Sequence, residues 1–145
     1  MSELTEDTIV IALFSELFAS EQKVRQRLSR ALPYEMELSH FMLLNYLSLQ
    51  NREMSPAQLA RTFNLTKGAM TNTLSKLESA GYIHIRPDWD DARKKMVGIS
   101  LAGDRARDEA FLAIMPVFDE ILPNFENQEM KLGLRFIRKL RQSLA

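Results

Sequence analysis

The stretch of sequence that decides the fold is MSPAQLARTFNLTKGAMTNTLSKLESAGYIHIRPDWDDARKKMVGISLAG, residues 54–103. Near its start, Ser55 is a good helix N-cap, and Pro56 fits the first helical position, where its missing N–H is not needed. A second start follows at Thr66, and Gly81 is the residue type best suited to end that helix. The pattern predicts two short helices joined by a tight turn.

The second of these helices, from Thr66 to Ala80, has an apolar side and a polar side. Met70, Leu74 and Leu77 recur at intervals of four and three, the spacing of a buried helix face. The opposite side carries small, amide-bearing or basic residues and no acid before Glu78: Thr66, Lys67, Gly68, Thr71, Asn72, Ser75 and Lys76. Such side chains suit base edges and phosphates in a major groove. Judged from this face alone, the helix could equally be an ordinary solvent-exposed helix without a DNA-binding role.

Two runs rich in β-forming residues follow, Tyr82–Pro87 and Lys95–Leu101. The segment between them is too polar for a core and predicts a hairpin tip, a wing. Its basic residues suit DNA, with Arg93 for a narrow minor groove and Lys94 for the backbone, and Asp91 is placed to brace Arg93. The alternative is a surface turn with mutually compensating charges.

Charge is concentrated on the same segment. The chain has 19 basic and 19 acidic residues, a balance that argues against a broadly basic nucleic-acid protein. Residues 61–95, however, hold seven basic and four acidic side chains, whereas residues 1–60 hold five and eight. The local excess doubles in a dimer, so we expect a specific binder that is weak on non-specific DNA.

Over this central segment, the sequence resembles the multiple antibiotic resistance regulator (MarR) family of bacterial transcription factors. The likeness rests on the helix opening, a second helix ending in Ala-Gly, a strand, an Arg, an acidic tip and an Asp-x-Arg element. Asp91 and Arg93 match the Asp-x-Arg pair, and Arg86 matches the basic residue before the wing. The resemblance implies that the Asp holds the wing Arg for the minor groove. In two departures, Ala92 stands where the family often has a second Arg, and Ser100 where it has Thr.

Apolar stripes predict long helices at both ends of the chain, over Glu6–Ala31, Asp104–Leu122 and Gln128–Leu144. A further helix with Ser39 as its N-cap runs to Leu49 and is apolar on most sides, as a central helix should be. The two ends of the chain therefore carry more apolar surface than a small module needs for its own core, and such surface usually seeks a partner.

We therefore expect a mainly α fold with a small β-hairpin, a winged helix-turn-helix with N- and C-terminal dimerisation helices. Residues 1–145 form a single MarR-like domain, with the winged-helix DNA-binding module at 34–101 and the dimerisation helices at 1–33 and 102–145. The resemblance implies that these end helices interlock in a two-fold homodimer.

Composition excludes several other classes. A chain of 145 residues with 46% apolar residues can bury a real core, and the absence of cysteine excludes disulfides and thiolate zinc sites. His40 and His84 are too few for a metal site, so no metal or cofactor is expected. No phosphate loop or nucleophile motif favours an enzyme. With no bilayer-length apolar run and an acidic beginning, we expect a soluble cytoplasmic protein without a membrane partner.

The sequence thus predicts a transcriptional regulator, and more specifically a repressor, that binds double-stranded DNA in a sequence-specific manner. The helix from Thr66 enters the major groove and Arg93 the minor groove. Two protomers read an inverted repeat with half-sites about 10 base pairs apart. The residues expected to contact DNA or to support contacts are Arg61, Thr66, Lys67, Gly68, Thr71, Asn72, Ser75, Lys76, Arg86, Asp91, Arg93, Lys94 and Lys95.

Members of the resembling family often bind a small aromatic or amphipathic effector between the dimer helices and the winged module. The resemblance implies such an effector here, which would relieve DNA binding, with Phe14, His40, Leu44 and Tyr46 as candidate lining residues. The alternative function is a winged-helix protein interaction module that does not bind DNA. Helix spacing cannot separate the two, but the acid-free helix face and the basic wing favour DNA.

Overall fold

The computed structural model describes residues 5–145, so residues 1–4 of the predicted N-terminal segment lie outside the described residues. Within this range the chain forms helices and one two-stranded antiparallel sheet, which confirms the predicted fold class. In chain order the elements are α1 (Glu6–Ala31), α2 (Leu38–Gln50), α3 (Pro56–Thr62), α4 (Lys67–Ser79), β1 (Ile83–Pro87), β2 (Lys95–Ile99), α5 (Leu101–Ile121), a 3₁₀ turn (Leu122–Asn124) and α6 (Asn127–Ser143).

The helix ends in the central segment form as predicted. Ser55 Oγ accepts a hydrogen bond from the Gln58 N–H at 3.2 Å, and Gln58 Oε1 accepts one from the Ser55 N–H at 2.9 Å. Thr66 Oγ1 accepts from the Ala69 N–H at 3.1 Å. Gly81 has φ 79°, a left-handed conformation that glycine adopts without a steric penalty. These caps satisfy backbone groups that a short helix would otherwise leave unpaired.

The second strand, predicted to reach Leu101, ends at Ile99, and two predicted helix starts were wrong by more than one residue. Helix α2 is capped at Glu37 rather than at Ser39, because His40 Nδ1 accepts from the Glu37 N–H at 3.4 Å. Helix α5 begins at Leu101, three positions before the predicted Asp104, because Ser100 Oγ accepts from the Gly103 N–H at 3.0 Å. In both cases a side-chain acceptor close to the true start stabilises an earlier turn of helix.

The core lies among α2, α3, α4, the inner side of the hairpin and the buried face of α5. Its largest fully buried side chains are Leu43, Leu44, Leu47, Leu59, Met70 and Val97. Met54 joins the hairpin to the start of α3, since it exchanges backbone hydrogen bonds with Val97 at 2.8 and 3.0 Å. The core thus fixes α4 relative to the wing.

Helices α1 and α6 contribute little to this core. Leu28 is the one residue of α1 that is buried, and the described residues of α6 include none. No helix within residues 5–145 combines the length and the apolar character that crossing a bilayer requires.

Replacing Ser55 with Ala is expected to lower the free energy of unfolding by about 1 kcal/mol, because α3 loses its N-cap hydrogen bond. Ser55→Gly is the matched control. It should lower the free energy of unfolding by only about a few tenths of a kcal/mol relative to wild type. Urea denaturation at equal protomer concentration measures both. Equal stability of Ser55→Ala and wild type would show that the cap does not stabilise the fold.

Candidate nucleic-acid interface

Helix α4 presents its predicted polar face to solvent. Its apolar side is buried through Met70, Leu74 and Leu77. The residues of the opposite face are all exposed: Thr66, Lys67, Gly68, Thr71, Asn72, Ser75 and Lys76. The Thr71 hydroxyl donates to the Lys67 carbonyl at 2.9 Å, which fixes its rotamer. The first turn contains no acidic residue, so the positive end of the helix dipole is not neutralised there.

The wing carries a guanidinium that is exposed and yet held in place. Arg93 Nε donates to Asp91 Oδ1 at 3.0 Å and its Nη2 donates to Oδ2 at 3.2 Å, a bidentate pair. The Arg93 side chain is nevertheless 90% exposed. The hydrogen bonds from Arg93 hold the pKa of Asp91 below its usual range, so this carboxylate stays charged. The arrangement presents a pre-oriented cation to solvent.

Backbone hydrogen bonds close the tip of the wing. The Asp88 N–H donates to the Lys94 carbonyl at 2.9 Å, and the Lys94 N–H donates to the Asp91 carbonyl at 2.9 Å. The loop that carries Arg93 is therefore a defined turn, and its side chains leave the hairpin from fixed points.

Arg86 lies differently from the other predicted contact residues. Its Nε is 2.7 Å from Glu53 Oε2, an ion pair whose N–H is not aligned as a hydrogen bond. Its Nη1 donates to the Pro87 carbonyl at 2.8 Å, and its guanidinium lies 4.4 Å from the centre of the Trp89 ring. Arg86 is thus committed to neighbours in the protein. Glu53 was missed by the sequence analysis, because no local spacing relates it to the wing.

The remaining basic residues of the predicted interface divide into those paired with a carboxylate and those without such a partner. Lys76 Nζ is 3.8 Å from Glu37 Oε1, at the start of α2. The pKa of the adjacent His40 is lowered, chiefly by burial and further by Lys76, against the opposing effect of Glu37. Within residues 5–145, the cations without a carboxylate inside 4.0 Å include Arg61, Lys67, Lys94 and Lys95. These four are free to contact phosphate.

The four candidate effector-lining residues have different surroundings. Leu44 is fully buried in the core and offers no surface to a ligand, because α2 is the central helix. The Tyr46 ring packs edge-on against Phe63, with centroids 5.5 Å apart. Phe14 packs against Phe18 on α1. His40 is mostly buried, with 13% of its side chain exposed.

A cleft of about 410 Å³ lies between the end of α1 and the start of α2. Its lining contains none of the four candidate residues and consists of Arg25, Ser29, Leu32, Glu35, Met36, Glu37, Leu38 and Ser39. No group of three or more His, Cys, Asp or Glu side chains in the part of the chain that the structure describes could hold a metal ion.

Comparison with known proteins identifies related sequences. Residues 34–94 match the model of the MarR family. The chain is 25% identical over 105 residues to the HTH-type transcriptional repressor YetL of Bacillus subtilis (strain 168). This region covers 72% of the present chain and 62% of YetL, so the chain aligns with less than two thirds of that relative's length.

Solved structures share the fold. A mutant MarR from E. coli complexed with operator DNA superposes with a TM-score of 0.79 at 20% identity, covering 96% of this chain and 99% of that one. S. aureus MepR in its DNA-binding conformation gives 0.77 at 18% identity, covering 91% and 98%. The matched segment includes α4 and the wing residues up to Lys94, and the fold is common to nearly the whole length. Residues 34–94 of the chain are thus similar to the MarR family, and nearly the whole chain shares the fold of these winged helix-turn-helix proteins.

Proposed function

We propose that this chain is a sequence-specific DNA-binding transcriptional regulator, a repressor, which binds an inverted repeat as a homodimer. The observation that carries the proposal is the exposed, acid-free face of α4, followed by a hairpin that holds Arg93 in solvent. YetL is named as a transcriptional repressor, and the E. coli MarR mutant was crystallised with operator DNA. Both relatives support the same activity for this chain.

In the proposed mechanism, α4 lies in the major groove. Asn72 can pair with adenine and Thr71 can contact a thymine methyl, whereas Lys67 reaches phosphate or guanine. Arg93, already oriented by Asp91, enters the adjacent minor groove, where a narrow A·T-rich groove concentrates negative potential. Arg61, Lys94 and Lys95 neutralise phosphates. The pre-orientation of Arg93 lowers the entropy lost on binding.

A second copy of the chain accounts for the apolar surfaces at the two ends. The exposed large apolar side chains of α1 and α6 include Ile9, Val10, Ile11, Leu13, Phe18, Met130, Leu132, Leu134, Phe136 and Ile137. The exposed charges of α6 and of the first part of α1 are complementary. Residues 6–21 of α1 carry no basic residue and the acidic residues Glu6, Asp7, Glu16 and Glu21, whereas α6 carries Lys131, Arg135, Arg138, Lys139 and Arg141. Packing α6 of one protomer on α1 of the other would bury the apolar residues and bring opposite charges together.

The protein is expected to sediment as a dimer at micromolar concentration. Replacing Ile137 with Asp should raise the dimer dissociation constant about 100-fold or more, because a two-fold interface would bury two unpaired carboxylates. Gln142→Asp places the same charge at an exposed polar position of α6 and should leave the dimer intact. Analytical ultracentrifugation distinguishes these outcomes. A wild-type protein that sediments only as a monomer would contradict the proposed dimer.

Selection of duplexes from a random-sequence pool tests the proposed function directly. The enriched DNA should contain an inverted repeat whose half-sites are centred about 10 base pairs apart, because the two-fold axis of the protein must coincide with that of the DNA. Hydroxyl-radical footprinting should place the two protected regions on one side of the duplex. Failure to enrich any sequence at low salt would argue against a DNA-reading function.

We also propose that a small aromatic or amphipathic effector relieves DNA binding. The cleft between α1 and α2 lies where the predicted dimerisation helix joins the winged-helix module, and Arg25 and Met36 give it both charged and apolar lining. A ligand there can act only by binding one separation of the two α4 helices better than the other. A compound that weakens operator binding should therefore bind the DNA-free dimer more tightly than the complex.

A further inference from the structure

Trp89 is the most exposed large apolar side chain among the described residues. It lies at the tip of the wing, and 81% of its surface is accessible. One face of its indole ring is covered by the Arg86 guanidinium, 4.4 Å from the ring centre. The proposed dimer involves α1 and α6 and leaves this hairpin tip uncovered. An exposed ring of this size at a fixed place calls for a partner.

The ring is held in place through two contacts in series. Arg86, which stacks on Trp89, is itself anchored by Glu53, a half-buried residue between α2 and α3. Asp88 Oδ1 accepts from the Asp90 N–H at 3.0 Å and thereby bridges the backbone across Trp89. The ring is therefore oriented by the module and keeps one face open.

Trp89 shares its turn with the wing arginine. The hydrogen bond from the Asp88 N–H to the Lys94 carbonyl closes a loop that contains both Trp89 and Arg93. If Arg93 enters a minor groove, the shared turn is expected to bring the ring to the wall of that groove, which is formed by deoxyribose and phosphate. The faces of deoxyribose are apolar, and aromatic or other apolar side chains are a recurrent means of contacting DNA from the minor-groove side.

We propose that Trp89 is a DNA-contacting residue that packs its free face on a deoxyribose of the groove that Arg93 enters, and that Arg86 positions the ring. This inference rests on the proposed function. The contact is apolar and independent of base identity. It therefore raises affinity for every duplex alike, without releasing counterions, whereas a lysine that contacts phosphate contributes to the salt dependence.

The proposal can be tested by fluorescence, because Trp89 is the only tryptophan of the chain. The wild-type protein is titrated with a duplex that it has enriched from a random pool, and acrylamide quenching of the indole is measured in the free protein and in the complex. The quenching constant should fall on binding. An unchanged quenching constant at saturation, verified by anisotropy of labelled DNA, would overturn the proposal and leave the proposed function intact.

Affinity measurements give a second test. Trp89→Ala should weaken binding about tenfold, because each dimer loses two aromatic contacts, and the slope of affinity against salt should stay the same. Trp89→Phe should restore most of the affinity, since it keeps a flat ring. Lys94→Ala is the contrasting variant and should reduce the salt slope. Equal affinity of Trp89→Ala and wild type would contradict the contact.

The positioning role of Arg86 can be tested by the fluorescence of Trp89. In the free protein, Arg86→Ala should shift the Trp89 emission and raise its acrylamide quenching constant, because the covered face of the ring becomes accessible. Arg86→Lys keeps a cation and should restore part of both signals. If neither variant changed the spectrum, Arg86 would not orient the ring. A pool from which the wild-type protein enriches no duplex would instead reject the proposed function itself.

Discussion

Replacing Arg93 with Ala is expected to weaken binding to the selected duplex about 100-fold, since each dimer loses two minor-groove contacts worth roughly 1.4 kcal/mol each. The loss should be this large because the bidentate bond to Asp91 already fixes the guanidinium, so little conformational entropy opposes its insertion. Fluorescence anisotropy of the labelled duplex at fixed salt measures the effect.

Arg105→Ala is the matched control for this experiment. Arg105 is an exposed arginine of α5, outside the face of α4 and the wing, and its removal subtracts the same charge from the protein. It should change affinity about twofold or less, through long-range electrostatics alone. If the two variants bound equally well, Arg93 would not enter a groove, and the reading surface would have to be placed elsewhere.

The second large effect is expected at Gly103, in the first turn of α5. A Cβ atom added there would lie 2.0 Å from the Tyr82 carbonyl oxygen and 2.8 Å from Ile99 Cγ1. Because the closest atom belongs to the backbone, it cannot move aside without displacing the start of the hairpin. Gly103→Ala should therefore lower the free energy of unfolding by about 3 kcal/mol, or the Tm by roughly 10 °C.

Gly68 supplies the comparison for Gly103, because it also lies in the first turn of a capped helix, α4. An added Cβ there meets nothing within 4 Å. Gly68→Ala should be neutral or should stabilise the protein by about 0.5 kcal/mol, since alanine reduces the entropy of the unfolded chain. Thermal unfolding of both variants at one protomer concentration separates steric conflict from helix propensity. Similar melting temperatures for the two would refute the close packing at Gly103.

The predictions that the structure confirms depend on short-range chemistry. The caps at Ser55 and Thr66 and the left-handed Gly81 involve groups within a few residues of each other, so the residue types were sufficient to predict them. The bond between Asp91 and Arg93 spans two positions and was expected for the same reason. The start of α2 was predicted wrongly, because a histidine acceptor such as His40 falls outside the usual capping pattern.

Contacts between segments that are distant along the chain could not be predicted from the sequence. Glu53 and Arg86 come from different parts of the chain, and their ion pair engages a predicted DNA-contacting residue with a carboxylate of the protein itself. Leu44 was expected near an effector, yet its position on the central helix buries it completely. Periodicity predicts that a face is apolar but does not state which neighbour covers it.

By itself, the amino-acid order determined where the helices of the central segment begin and end and which side of α4 is polar. It also determined that the wing arginine has a carboxylate partner. Each of these features depends on groups that are adjacent along the chain or spaced by one helical turn. Only the tertiary structure decided that Arg86 stacks on Trp89 while Arg93 remains exposed, and that Gly103 abuts the Tyr82 carbonyl. These follow from how α2, α5 and the hairpin pack together, and close packing selects among side-chain arrangements that local propensity leaves equivalent.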